Sequence, residues 1–172
     1  KKQIAEKIDA GFSCIKMKIG AIDFTSEVAL LKNIRNEFSS NDIELRVDAN
    51  GAFAPSEALE KLQILSQLQI HSIEQPIKAG QWQKMAYLCE KTPLPIALDE
   101  ELIGILSSEE KQKLIDMIKP QYIILKPSFV GGFRGTDHWI ELATNRNVGW
   151  WITSALESNV GLNAISQYTF TK

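Results

Sequence analysis

A polar residue closes nearly every β-prone run in this chain, and it does so at an almost constant interval. Lys18, Asp48, Glu74, Asp99, Lys126 and Ser154 follow one another at separations of 30, 26, 25, 27 and 28 residues. Each interval is the length of one strand plus one returning helix, so the chain is constrained to successive βαβ units around a parallel sheet. Such units bring all their strand carboxyl ends to one rim, the rim on which barrel active sites are built. Ionisable side chains gathered there are costly unless they are paired or bound to a metal. The plainer alternative is a set of ordinary strand-cap salt bridges, but accidental surface charges scatter among helices and loops.

The intervening segments carry helical spacing. Lys2 to Asp9 reads as an opening helix ending at Gly11, followed by a strand at Cys14 to Ile19. Phe24 to Phe38 places Val28, Leu31, Ile34, Arg35 and Phe38 on one helical face. Pro55, at a first-turn position, opens a helix over Ser56 to Gln67. Further helices are expected at Trp82 to Cys89, Ser108 to Ile115, Asp137 to Thr144 and Val160 to Tyr168. The remaining strands are expected at Ile43 to Asp48, His71 to Gln75, Pro95 to Leu98, Tyr122 to Leu125 and Val148 to Thr153. Short connections leave no linker, so residues 1–172 are expected to form one domain. A doubly wound open sheet is the rival fold, and it would bind ligands at a switch point instead of gathering every strand end.

Composition removes several function classes. With 44% hydrophobic and 23% charged residues, the chain suits a soluble globular protein and not a disordered one. No apolar run approaches the roughly 18 residues that span a bilayer, and no apolar stretch follows the first lysines as a signal peptide requires. A net charge of -2 with interspersed signs offers nothing to nucleic acid or to an anionic membrane. Cys14 and Cys89 are expected to be free thiols of a cytoplasmic protein, and neither has zinc-site spacing. His71 and His138 also lack metal spacing and are expected to be structural or surface residues. Phosphate-binding glycine motifs are missing after the strands. Gly131-Gly132 reads either as an anion-binding backbone or as a plain turn. Trp150 and Trp151 alternate faces, one toward the sheet interior and one toward the helices.

Asp48, Glu74 and Asp99 offer three hard oxygen donors from neighbouring strand ends. That set suits Mg²⁺, with Mn²⁺ as a substitute, and leaves positions open to water and substrate oxygens. A metal on a substrate carboxylate stabilises the charge that develops when the adjacent carbon loses its proton. Lys18 precedes the three ligands in the chain and Lys126 follows them, so the two are expected to flank the substrate. Lys16 shares a strand face with Lys18, and one of the pair is expected to depress the pKa of the other. Met17 points the other way, toward a helix.

At these residues the chain resembles the enolase superfamily, and within it the o-succinylbenzoate synthase family. The resemblance is carried by KMK at Lys16 to Lys18, VDAN at Val47 to Asn50, IEQP at Ile73 to Pro76, LDEE at Leu98 to Glu101 and LKPS at Leu125 to Ser128. TSALESNVG at Thr153 to Gly161 continues it. The resemblance implies a partial TIM-like (β/α) barrel with about six strands present, and with the first strand, the last strand and the amino-terminal capping domain absent. It implies that Asp48, Glu74 and Asp99 bind Mg²⁺, and that Lys18 removes the proton α to a carboxylate and then assists loss of hydroxide. Lys126 is implied to stabilise the enediolate. The implied reaction dehydrates 2-succinyl-6-hydroxy-2,4-cyclohexadiene-1-carboxylate to o-succinylbenzoate, an intermediate of menaquinone biosynthesis.

Around that centre, Asn50 is expected either to support Asp48 or contact substrate, or simply to serve the turn, and Glu100 to pair with Lys126. Ser128, Gly131 and Ser154 are expected to hold a substrate carboxylate. An incomplete barrel leaves open sheet edges. The chain is therefore expected to be a piece of a longer protein, weak or inactive alone, with a homo-oligomer as one way to cover the edges. The competing functions are an N-succinylamino acid racemase or dipeptide epimerase on the same scaffold, and a non-catalytic barrel that kept its acidic rim.

Overall fold

The computed structural model describes residues 2–172. A helix, α1 (Lys2–Asp9), leads into the first strand, and strands then alternate with helices. The order is β1 (Cys14–Lys18), α2 (Phe24–Glu37), β2 (Glu44–Asp48), α3 (Pro55–Ser66), β3 (Ser72–Glu74) and α4 (Trp82–Lys91). It continues with β4 (Ile96–Leu98), α5 (Ser108–Ile118), β5 (Tyr122–Leu125), α6 (Gly132–Thr144), β6 (Gly149–Ile152) and α7 (Asn159–Phe170). All neighbouring strands pair in parallel, in the order β1-β2-β3-β4-β5-β6. The sheet is an incomplete, curled barrel wall, as the partial-barrel reading expects, and a doubly wound order is excluded.

Local chemistry sets the helix starts. The Asp23 carboxylate accepts hydrogen bonds from the Thr25 and Ser26 N–H groups and caps α2. Pro55 sits in the first turn of α3, and Ser107 caps α5 by accepting from the Glu110 N–H. Helix α6 begins five residues before the expected Asp137. Gly131, at φ 98°, supplies the left-handed residue that turns the chain directly into it. Gly131-Gly132 is therefore a helix entry. A 3-10 turn at Glu100–Leu102, not foreseen, follows β4.

Alternation along the strands separates two faces. Leu45, Val47, Ile73, Ile96, Leu98, Ile123 and Leu125 are buried and point outward to the helices. There they meet Leu31 and Ile34 of α2, Leu62 and Leu65 of α3, Met85 and Leu88 of α4, Leu114 and Ile118 of α5, and Trp139 of α6. Arg35 closes the far end of this layer, donating to the carbonyls of Ile43, Leu68 and Gln69 at 3.0, 3.0 and 2.8 Å. The inner face is polar at the carboxyl end. At the opposite end it is aromatic, where Arg46 lies 4.1 Å over the Trp151 ring and His71 and Tyr122 pack at 5.0 Å. Trp150 is on the outer face, packed against the core. Both cysteines are free, and burial pushes the Cys89 thiol up to about 12. Among the described residues no helix is long and apolar enough to cross a membrane.

Leu62, fully buried in the core on α3, and Ile64, exposed on the same helix, give a direct test of this layering. Leu62→Ala is expected to lower unfolding stability by about 2–5 kcal/mol. Ile64→Ala is expected to shift it by no more than about 0.5 kcal/mol in urea denaturation. Equal losses would place the core elsewhere.

Candidate active site

Register places the site. Lys18 is the direct partner of Asp48 across β1 and β2, and Asp48 is the partner of Glu74 across β2 and β3. Asp99 follows the last residue of β4, and Lys126 the last of β5. All five therefore share one rim, and the three carboxylates are almost completely buried there.

The rim is one connected network. Lys16 Nζ reaches Glu74 Oε2 at 2.6 Å and Asp48 Oδ2 at 3.6 Å. Lys18 Nζ donates to Asp48 Oδ2 and, at 2.6 Å, to Asn50 Oδ1. Asn50, itself at φ 44°, donates from its backbone to Asp48 Oδ1 at 2.9 Å and from its amide to Glu100 Oε1 at 2.9 Å. Lys126 Nζ donates to Asp99 Oδ2. Glu100 thus faces Asn50, not Lys126 as expected. The cation on β5 goes to the more deeply buried acid beside it. The loops after β1 and β2 pack tightly, since a Cβ on Gly20 would come 2.4 Å from the Ala52 Cβ.

Charge and burial compete at each group. Burial pushes Glu74 up to about 7, with the hydrogen bond from Lys16 opposing and the Asp48 charge adding. For Asp48 burial also acts upward, but the Lys18 hydrogen bond and the Asn50 N–H hold it below the usual carboxylate range. Burial acts to lower Lys16, yet the Glu74 hydrogen bond and the charges of Glu74, Asp48 and Asp99 raise it. At Lys16 the shift is therefore upward, set by the acids around it. The Lys18 side chain is 63% exposed against 20% for Lys126, so Lys18 is open to a ligand arriving at the rim.

Among the described residues no three acidic, histidine or cysteine side chains sit together at metal-ligand spacing. The carboxylates are turned to the lysines instead. Their chemistry still fits a hard divalent cation: all the donors are oxygens, they come from adjacent strand ends, and Glu74 Oε1 is buried without a hydrogen-bond partner.

Ser128 and Ser154 form a second group on the β5 and β6 loops. Glu157, which sequence reasoning passed over, accepts from Ser128 Oγ at 2.8 Å and from the Ala155 N–H at 2.9 Å, and Ser154 also bonds it. Gly131 serves the entry to α6. The structure thus joins Lys16, Lys18, Asp48, Asn50, Glu74, Asp99, Glu100 and Lys126, and leaves Ser128, Gly131 and Ser154 outside that network.

A family model for enolase C-terminal domain-like proteins matches residues 1–171. The chain belongs to this family. Within the wider enolase superfamily it is similar to an o-succinylbenzoate synthase of Desulfotalea psychrophila, 58% identical over 168 residues that make up 98% of this chain and 45% of that protein. It is also 30% identical to an N-succinyl-L-Arg/Lys racemase of Bacillus cereus, over 99% of this chain and 45% of that one. A crystal structure of MenC from Desulfotalea psychrophila superposes with a TM-score of 0.94 at 56% identity, covering 99% of this chain and 47% of that chain. The chain spans a little under half the length of these relatives. The resemblance read from the sequence motifs is borne out.

The Glu74 shift predicts how the metal-free rim responds to pH. In the unfolded chain Glu74 ionises near its ordinary 4.5, whereas the fold keeps it neutral up to about 7. A raised acid pKa contributes stability below 4.5 that is lost as pH rises through 7. In chelator, Glu74→Gln is therefore expected to gain melting temperature relative to wild type across that window. Curves that stay parallel from pH 4.5 to 7 would contradict the assignment.

Proposed function

We propose that this chain carries the metal ligands and both lysines of an o-succinylbenzoate synthase. The carrying observation is the 58% identity to the Desulfotalea psychrophila synthase across 98% of the chain. The connected rim of lysines and carboxylates gives that similarity a chemical basis. The substrate is 2-succinyl-6-hydroxy-2,4-cyclohexadiene-1-carboxylate, and the reaction removes water to give the aromatic o-succinylbenzoate.

Asp48, Glu74 and Asp99 would hold Mg²⁺, or Mn²⁺ in its place. A bound divalent cation supplies compensation for the second negative charge that builds on the substrate carboxylate. Ligation would draw Asp48 from Lys18 and Asp99 from Lys126, freeing both lysines from their ion pairs. Lys18, as the free amine, takes the proton from the carbon bearing the carboxylate. The electron pair left behind passes into the ring system, the C–O bond to the β hydroxyl breaks, and the Lys18 ammonium returns its proton to the departing hydroxide. Water therefore leaves from the face on which Lys18 stands. Lys126, on the opposite side, stays an ammonium and stabilises the enediolate against the ring face. Asn50 orients Asp48 and Lys18 together, and its link to Glu100 fixes its own side chain.

The test follows ultraviolet absorbance as the protein carrying this chain meets the cyclohexadiene substrate with Mg²⁺. Rapid aromatisation is expected, abolished by chelation and reduced about 10²–10⁴-fold by Lys18→Ala. Absence of aromatisation, with α-proton exchange on N-succinylamino acids instead, would replace this reading with the racemase reading that the Bacillus cereus relative supports.

A further inference from the structure

The β3–β4 ladder has an irregular last rung, and it falls between two of the proposed metal ligands. Ile73 N–H donates to the Pro95 carbonyl and Gln75 N–H to the Ala97 carbonyl, at 2.9 Å each. In a regular parallel ladder the next donor, Asp99 N–H, would find the Gln75 carbonyl. That carbonyl is turned away: Gln75 stands at φ 40°, and its oxygen accepts from Gly51 N–H at 2.7 Å. The side chain takes over the missing rung. Gln75 Oε1 accepts from Asp99 N–H at 3.3 Å, and Nε2 donates to the Ile77 carbonyl at 2.9 Å. The residue has no solvent exposure, and its amide also lies against the Glu101 carboxylate.

One side chain and its own peptide therefore tie together the loop after Asp48, the residue after Glu74 and the backbone of Asp99. We propose that Gln75 is a positioning residue that sets the spacing between the Glu74 and Asp99 carboxylates, and through it the affinity of the rim for a divalent cation. It touches neither metal nor substrate. The inference rests on the metal-site reading given under Proposed function, and it adds a residue to that site.

Gln75→Asn is the sharper variant. Asparagine tolerates a left-handed backbone better than most residues, so the turn is kept while the side chain becomes too short to reach Asp99 N–H. Gln75→Met keeps the length and volume but removes the amide, and it serves if the first variant does not fold. Folding is checked by circular dichroism, and Mn²⁺ binding is measured without substrate by electron paramagnetic titration, in the protein that carries this chain. The expected result is an affinity loss of about 10- to 100-fold in each folded variant. Saturating Mn²⁺ is then expected to restore most of kcat. Unchanged Mn²⁺ affinity in the folded variants, even with a lowered melting temperature, would overturn the proposal, because a merely structural glutamine behaves that way. A wild-type protein that binds no Mn²⁺ would instead overturn the metal-site reading itself, and the proposal with it.

Discussion

Three carboxylates withdrawn from water at neighbouring strand ends stay ionised only if cations face them, and the rest of the rim answers that constraint. Asp48, Glu74 and Asp99 are each matched to a lysine, from Lys18, Lys16 and Lys126 in turn. The match is incomplete at Glu74, where burial outweighs the lysine and leaves one oxygen without a partner. A rim in this condition has a standing electrostatic reason to accept a divalent cation. In the proposed reading the same cation would release the lysines that now serve as counter-ions, and metal uptake would free the base.

The fold delivers that rim through register and layering. Parallel pairing aligns Lys18 with Asp48 and Asp48 with Glu74. The opposite side of each strand is apolar and buried against helices, which fixes the strands against slipping: a one-residue shift would turn the acids into the hydrophobic layer. Beyond the strand ends, left-handed residues at Asn50 and Gln75 bend the chain so that side chains bond back across the rim. Hydrophobic burial holds the scaffold, and hydrogen bonds beyond the ladder set the distances that chemistry needs.

Much of this was legible in the sequence because its periodicity is local. The rise from one polar strand end to the next depends only on the length of a strand and a helix, so Lys18, Asp48, Glu74, Asp99 and Lys126 fall together without any tertiary knowledge. The family motifs lie at those same positions. The partner of Glu100 was not legible, since it depends on where the Asn50 side chain swings after a positive φ. Gln75 was hidden for the same reason: IEQP marks the strand end, but not the turned carbonyl that makes its side chain a ladder rung. The early start of α6 was missed because two glycines read as a loop until the left-handed geometry of Gly131 shows them opening a helix. The Ser128 and Ser154 hydroxyls, expected to await a substrate carboxylate, are bonded to Glu157, a residue of the Thr153 to Gly161 segment whose spacing alone does not show that it turns back to them.

The most direct measurement is anomalous diffraction from crystals of the protein that carries this chain, soaked in Mn²⁺. The account predicts a single strong peak about 2.1 Å from an oxygen of each of Asp48, Glu74 and Asp99, with Lys18 and Lys126 withdrawn from their carboxylates on opposite sides. No peak at that position, with the lysines still bound to the acids, would contradict it.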